Sequence, residues 1–115
     1  MTTAPQLHPN QMPASEVLRL GDLVNYQEGT VVSRTLLKHA TGTVTVFAFD
    51  AGQGLSEHTA AFDALVHMLD GKAEITISDK PYRLEAGQAI LLPANRPHAL
   101  AALTAFKMLL TMIRS

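Results

Sequence analysis

Short runs of alternating or β-branched residues, separated by turn residues, fill the chain from Thr30 onwards. This spacing is typical of a β-sandwich or a β-barrel. No segment carries an apolar stripe long enough for a packed helix, and residues 21–26 are expected to form at most one helical turn. The pattern therefore predicts an all-β, antiparallel domain with strands at residues 30–38, 43–49, 64–69, 73–77, 82–84, 89–92, 98–102 and 106–113.

Turn residues predict where these strands reverse and where the domain begins. Asp70-Gly71 lies between two strand-like runs and predicts a hairpin, because this pair tolerates the positive φ angles of a tight turn. Residues 78–81 predict the next hairpin. Residues 1–14 hold three prolines among polar side chains, so they predict a flexible tail before a single domain at residues 15–115.

The strand predicted at residues 64–69 is apolar on both of its faces. Its even positions are Ala64, Val66 and Met68, and its odd positions are two leucines and His67. A sheet with one wet face alternates polar and apolar side chains, so something must cover the second face of this strand. In a domain without helices, the pattern favours a second copy of the chain, and hence a homodimer with His67 turned toward the dimer face. Cover by the N-terminal segment is the alternative.

Composition narrows the class of protein. The chain has 115 residues with a hydrophobic fraction of 47 % and a charged fraction of 17 %, which indicates one core-forming domain and excludes a disordered polymer. A net charge of -1 leaves no basic surface for phosphates, so nucleic acid is not an expected partner. No stretch has the pattern of a signal peptide or the length of a membrane span, so the expected location is cytoplasmic, away from membranes.

The absence of cysteine restricts the chemistry that the side chains can perform. It excludes thiol nucleophiles, disulfides and thiolate metal sites together. Histidine and carboxylate remain as the strong side-chain ligands. Any metal site in this chain is therefore expected to use nitrogen and oxygen donors.

Two segments have the spacing of known motifs. The first runs from Gly52 through His58 to Gly71, and the second from Gly87 to His98. They resemble the two motifs of the cupin family, in which the first motif supplies a His-x-His pair and a Glu to a metal, and the second supplies a further His. The resemblance covers roughly residues 40–113. It implies a double-stranded β-helix, or jelly-roll barrel, that is usually a dimer.

The departures from the family motifs bear on function. Ala60 stands where the family has its second His, and Ala64 stands where it has its Glu. His58 and His98 remain, and the resemblance places them inside the barrel mouth on facing strands. Asp63 is a candidate displaced carboxylate, although strand alternation points it away from the ligand position unless a bulge re-aims it. Two imidazoles alone bind a divalent cation weakly, because catalytic sites normally take three protein ligands.

Three functions follow from this reading. In the first, the protein binds a small organic ligand beside a degenerate metal site, or beside two vestigial histidines. In the second, it is a metal-dependent enzyme, such as a dioxygenase, an isomerase or a polyketide-cyclase-like protein, in which His58, His98 and a further donor hold Fe, Mn, Ni or Zn. In the third, it is a structural or sensor module. The ligand pocket of the first hypothesis is expected at Phe49, Ala60, Ala64, Val66, Met68 and His98.

Overall fold

A computed structural model describes residues 11–114, in which strands alternate with tight turns. The helical content of these residues is one 3₁₀ turn at Leu20–Leu23, close to the turn that the sequence predicts. The strands of the described chain are β1 Val31–His39, β2 Gly42–Phe49, β3 Gly54–His58, β4 Asp63–Asp70, β5 Lys72–Ile77, β6 Lys80–Glu85, β7 Ala89–Leu92, β8 His98–Ala102 and β9 Phe106–Ile113.

The strands form two antiparallel sheets that pack face to face. One sheet has five strands in the order β1-β2-β9-β4-β7, and the other has four in the order β3-β8-β5-β6. Strands from both sheets contribute to one apolar core, as expected for two layers that bury their inner faces against each other. The prediction of an all-β jelly roll is confirmed. The described residues include no helix that is long and apolar enough to cross a membrane.

The core between the sheets is filled by alternate side chains. On β4 the even positions Ala64, Val66 and Met68 point inward and are buried. Phe49 and Phe106 stack at the centre with their ring centroids 4.4 Å apart. Both rings are fully buried, so the interior of the barrel is packed with side chains at this level.

Strand β3 was not predicted from the sequence. Its residues Gly54–His58 include a Ser, a Glu and a Gly, and its burial does not alternate. It pairs with β8 alone, and its register shifts between Leu55 and His58. Because a short edge strand with a bulge has no apolar face of its own, hydrophobic periodicity does not find it.

The predicted hairpin at Asp70-Gly71 is wrong. At this point the chain leaves β4 in the five-stranded sheet and enters β5 in the four-stranded sheet, so the two strands do not pair. Gly71 has φ +75, and a Cβ placed on it would lie 2.0 Å from the carbonyl oxygen of Ala105. A glycine is therefore required at this position because another backbone segment approaches closely where the chain crosses between the sheets. A hairpin is not the reason.

The second predicted hairpin is confirmed. Strands β5 and β6 pair through Ile77 and Lys80, which leaves a two-residue loop. Both loop residues, Ser78 and Asp79, have positive φ, of 48 and 68 degrees. Two positive φ angles are typical of the type I′ turn, whose twist matches that of the paired strands.

The outer face of the five-stranded sheet carries a second apolar cluster. Its buried members are Val24, Leu36, Val46 and Ala48, and residues of the N-terminal segment pack against them. The intramolecular cover that was the alternative to a dimer is therefore present over this part of the sheet. Residues 1–10 of the predicted tail lie outside the described residues, whereas the Met12 amide donates to the Leu36 carbonyl at 3.0 Å.

Polar contacts hold this N-terminal segment in place. The Tyr26 hydroxyl donates to an Asp70 carboxylate oxygen at 2.5 Å, and the Lys107 ammonium donates to the Gly21 carbonyl at 2.6 Å. The same ammonium lies 5.0 Å from the centre of the Tyr26 ring. Burial and the Asp70 carboxylate both raise the pKa of Tyr26, so its hydroxyl remains a donor throughout the neutral range.

Candidate functional site

Strand pairing brings together two histidines that lie 40 residues apart in sequence. His58 ends β3 and His98 begins β8, and the two residues are register partners in the four-stranded sheet. Directly opposed residues of an antiparallel pair project to the same side of the sheet, and the irregularity in β3 between Leu55 and His58 sets His58 opposite His98. His58 is exposed, whereas only 7 % of His98 is accessible to solvent. We refer to these two side chains as the imidazole pair.

In both rings of the imidazole pair, the Nδ1 atom contacts a main-chain carbonyl oxygen. The Nδ1 atom of His58 lies 2.9 Å from the carbonyl oxygen of Ser56, and that of His98 lies 3.2 Å from the carbonyl oxygen of Arg96. The two Nε2 atoms face each other at 3.1 Å, with the rings inclined at 70°. Each histidine thus uses a carbonyl two residues earlier to fix its ring.

Counting hydrogens shows what this arrangement lacks. A carbonyl oxygen only accepts, so each Nδ1 must carry a hydrogen, which leaves a lone pair on each Nε2 of a neutral ring. Two lone pairs that face each other at 3.1 Å repel unless a hydrogen or a cation lies between or beside them. Two neutral rings carry two N–H hydrogens in total. The two contacts between Nδ1 and a carbonyl and the one contact between the Nε2 atoms need three. The imidazole pair therefore needs one further proton, metal ion or ligand donor group.

Burial makes the proton a poor third partner for His98. Desolvation lowers the pKa of His98 below its ordinary value, and nearby His58 lowers it further, while the Arg96 carbonyl acts in the opposite direction. At neutral pH the buried ring is therefore neutral, with its Nε2 lone pair directed at His58. The pair presents two converging acceptors to whatever enters beside it.

The lowered pKa predicts that acid destabilises the fold. Unfolded His98 takes up a proton near its ordinary pKa of 6.5, whereas the folded residue does so only at lower pH. Between these values the unfolded state binds more protons, so stability falls as pH drops below 6.5. Thermal unfolding from pH 8 to pH 5 checks this, and His98→Gln is expected to flatten the slope. An unchanged slope in His98→Gln, with His39→Gln as the exposed control, would contradict this.

The cupin domain model matches residues 45–113, which include both histidines. The chain belongs to the cupin family. A conserved protein of unknown function from Streptococcus pyogenes is 38% identical with a TM-score of 0.89, and the match covers 97% of this chain and 98% of that protein. A cupin superfamily protein from Desulfitobacterium hafniense is 30% identical with a TM-score of 0.86, covering 91% and 96%.

More distant matches show the cupin fold alone. A salicylate 1,2-dioxygenase from Pseudaminobacter salicylatoxidans is 14% identical with a TM-score of 0.68, and the match covers 72% of this chain and 26% of that enzyme. No curated protein matches the chain. The sequence-based assignment to the cupins is thus confirmed, while the function of this cupin has to be argued from its own residues.

The remaining ligand positions of the cupin motifs bear directly on metal binding. Ala60 and Ala64 supply methyl groups, and Ala64 is buried in the core. Asp63 does not join the histidines, since its carboxylate accepts the amide of Ala94 at 2.8 Å and so fixes the loop after β7. Within residues 11–114, no three His, Asp or Glu side chains form a group suited to a metal ion.

The imidazole pair nevertheless fits as one half of a metal site. A 3.1 Å separation is what two imidazoles have when two bonds of about 2.1 Å meet at roughly 95° on one ion. Each ring also has the main-chain acceptor on Nδ1 that histidine ligands normally have. Two protein donors are fewer than the three of a catalytic site, so the fit is to a weak, open site.

The predicted ligand pocket is packed rather than open at most of its positions. Phe49, Ala64, Val66 and Met68 belong to the core cluster and are at most 4% accessible. Ala60 is half-buried, and its carbonyl accepts the Asn95 amide at 2.7 Å. Only His98 of the predicted set faces another functional group. The side of the imidazole pair that is open to a ligand is therefore the solvent side, next to exposed His58.

Sequence reasoning missed the two carbonyls that fix the rings, because main-chain acceptors leave no mark on side-chain identity. It anticipated two other features. Asn95 has φ 63, the left-handed conformation that an Asn in place of the family's Gly tolerates. His67 is exposed on the outer face of β4, on the side opposite to the buried Val66 and Met68, as strand alternation predicts.

Proposed function

We propose that this cupin is a binding protein that takes a small organic ligand beside the imidazole pair, through a hydroxyl group of the ligand that donates a hydrogen bond. The observation that carries the proposal is the pair of converging Nε2 acceptors, 3.1 Å apart, whose Nδ1 atoms are already committed to main-chain carbonyls. A ligand hydroxyl supplies the hydrogen that the pair lacks. Buried His98 fixes the position of this contact, and exposed His58 gives access to it.

A divalent metal strengthens the same proposal when it is present. His58 and His98 would hold it, and nitrogen donors suit Fe, Ni and Zn better than Mn. Such an ion supplies Lewis acidity and leaves coordination positions for oxygen atoms of an organic acid. Because the chain offers only two donors among residues 11–114, the ligand and the metal are expected to bind more tightly together than either does alone.

Binding of simple hydroxy acids tests this proposal. Lactate and salicylate, with and without Ni²⁺, are titrated into the protein while the imidazole resonances are followed by NMR. We expect both histidines to respond, with dissociation constants lowered by Ni²⁺. His98→Gln should remove the response and His67→Gln, an exposed position outside the pair, should keep it. A response that survives in His98→Gln, or no response with or without Ni²⁺, would overturn the proposal.

A metal-dependent enzyme is the second candidate function. It is supported by the spacing of the two Nε2 atoms, which fits two adjacent ligands of one ion. It would need a third donor, which the substrate or a second copy of the chain would have to bring. Metal analysis of untagged protein separates the candidates, since an enzyme should retain about one ion per chain through purification and the proposed binding protein should not.

We propose that the chain forms a homodimer through the part of the outer sheet face that the N-terminal segment leaves open. Three large apolar side chains remain exposed there: Leu65 at 44%, Leu91 at 54% and Ile113 at 65%. Leu65 and Leu91 are register partners on β4 and β7, and Ile113 continues the surface on β9. Contiguous apolar residues of this kind favour a protein interface.

Sedimentation velocity tests the dimer. Leu65→Lys with Leu91→Lys is expected to convert a dimer at about 10 μM into a monomer, because two charges would be buried in the interface without partners. Val17→Lys is the control, since Val17 is fully exposed elsewhere. A monomeric wild-type protein at this concentration would overturn the dimer proposal.

A further inference from the structure

The two sheets leave a groove where their edge strands meet. Strand β6 is one edge of the four-stranded sheet and β7 is one edge of the five-stranded sheet. Three adjoining cavities of about 260, 410 and 410 Å³ lie along these edges. Neighbouring cavities share lining residues, and we call this row of adjoining cavities the seam groove. Its walls include Lys72, Lys80, Tyr82, Arg83, Ile90 and Arg96.

Strand β7 presents main-chain groups to the seam groove. In its antiparallel ladder with β4, hydrogen-bonded and non-hydrogen-bonded positions alternate. The Met68 amide donates to the Gln88 carbonyl, so by alternation Ile90 and Leu92 bond to β4. Ala89 and Leu91 therefore direct their amides and carbonyls away from β4. Among the described residues, no main-chain partner is seen for these two.

Strand β6 is a poorer edge for pairing. Pro81 has no amide hydrogen, and the amide and carbonyl of Glu85 are bonded to Gln88 at 3.0 Å each. The β6 edge is therefore blunted, whereas the outward main-chain groups of Ala89 and Leu91 on β7 have no main-chain partner among the described residues. A new strand would therefore pair with β7 and lie over β6.

The charges of the seam groove are unbalanced. Lys72, Lys80 and Arg96 contribute cations, and none of them is in an ion pair with a described residue. Arg83 is paired with Glu74 at 3.2 Å, and Glu85 is the carboxylate in the walls. Three unpaired cations along a groove of a chain whose net charge is -1 favour an anionic occupant.

Apolar side chains line the groove between the cations. Tyr82 and Ile90 are half-buried within it, and Leu103 at one end is 44% exposed. Successive side chains of a strand point to opposite sides. An occupant whose apolar and acidic residues alternate would therefore contact both the apolar side chains and the cations of the groove. The four residues of β7 match a segment of four to five residues.

We propose that the seam groove binds an extended, acidic segment of a partner protein, which adds as a strand to β7. This site is separate from the imidazole pair and does not depend on the function proposed for it. Strand addition takes its affinity from main-chain hydrogen bonds and its selectivity from side-chain contacts. Residues 1–10 of a second copy fit poorly, because they contain no Asp or Glu.

Titration with a synthetic peptide tests this inference. A capped Glu-Val-Glu-Val-Glu peptide is added to the full-length protein, and main-chain amides are followed by NMR. We expect shifts centred on Ala89 and Leu91, and at least tenfold weaker binding when Lys80→Glu and Arg96→Glu are combined. Lys38→Glu on β1 is the charge control and should bind as the wild-type protein does.

Two matched peptides separate strand addition from simple charge attraction. Lys-Val-Lys-Val-Lys should bind at least tenfold more weakly, and N-methylation of alternate amides in the acidic peptide should abolish binding. No binding of the acidic peptide at millimolar concentration would overturn the inference. It would also be overturned by equal binding of the basic or the N-methylated peptide, or by tighter binding of a peptide of residues 1–10.

Discussion

Replacing two alanines is expected to turn this weak site into a tight one. In Ala60→His with Ala64→Glu, the zinc affinity should rise by about 10³-fold or more, since each ligand of a structural zinc site contributes on the order of 3 kcal/mol. The imidazole pair is already in place for the new ligands, with its Nδ1 atoms fixed by carbonyls. Zinc titration monitored by calorimetry measures the gain.

The stability of this double variant gives an independent reading. Ala64 is 4% accessible, so a glutamate there buries a carboxylate and should lower the unfolding temperature of the metal-free protein. Zinc should then restore it. His58→Ala in the same background should remove the effect of zinc, and Ala61→His with Ala64→Glu tests whether the position of the new histidine matters. An affinity unchanged from wild type would mean that the imidazole pair is not oriented as described.

Gly71→Ala is expected to lower the free energy of unfolding more than Gly87→Ala does. A Cβ there would lie 2.0 Å from the Ala105 carbonyl oxygen and 2.8 Å from the Phe106 Cα, both backbone atoms, at φ +75. Relief would require the chain at Gly71 to move away from the start of β9, the strand that pairs with β4, beside the Phe49–Phe106 stack. We expect a loss of about 3 kcal/mol or more, seen as a lower denaturant midpoint or as insoluble protein.

Gly87→Ala is the matched control for that substitution. Gly87 has φ +89, yet a Cβ there would meet nothing within 4 Å. Its cost is therefore the conformational one alone, about 1–2 kcal/mol. Equal losses at the two positions would show that the close approach at the sheet crossing does not matter.

The two predicted turns show which features the sequence determines and which depend on distant contacts. Asp70-Gly71 and Ser78-Asp79 both adopt positive φ at one or both residues, as their chemistry predicts. Only the second joins paired strands. A jelly roll needs the chain to change sheets, and nothing local to Gly71 distinguishes a crossing from a hairpin, because the deciding contact is with Ala105.

The sequence singled out the two histidines of the candidate site, but it did not indicate which ring nitrogens carry hydrogen. The motif spacing identified His58 and His98, and the replaced positions showed that two donors are missing. The positions predicted for a ligand pocket proved to be mostly core, because inward residues of a small barrel fill it. The Ser56 carbonyl lies at the irregularity within β3 and the Arg96 carbonyl lies in the loop before β8, and side-chain patterns encode neither position.

The state of the imidazole nitrogens is the central claim, and ¹⁵N NMR of the histidine rings at pH 8 tests it directly. Our interpretation predicts that both His58 and His98 carry hydrogen on Nδ1 and a lone pair on Nε2, and that Zn²⁺ shifts both Nε2 signals together. His67 should not respond. An Nε2-protonated ring in either residue, with neither signal moved by Zn²⁺, would contradict the account.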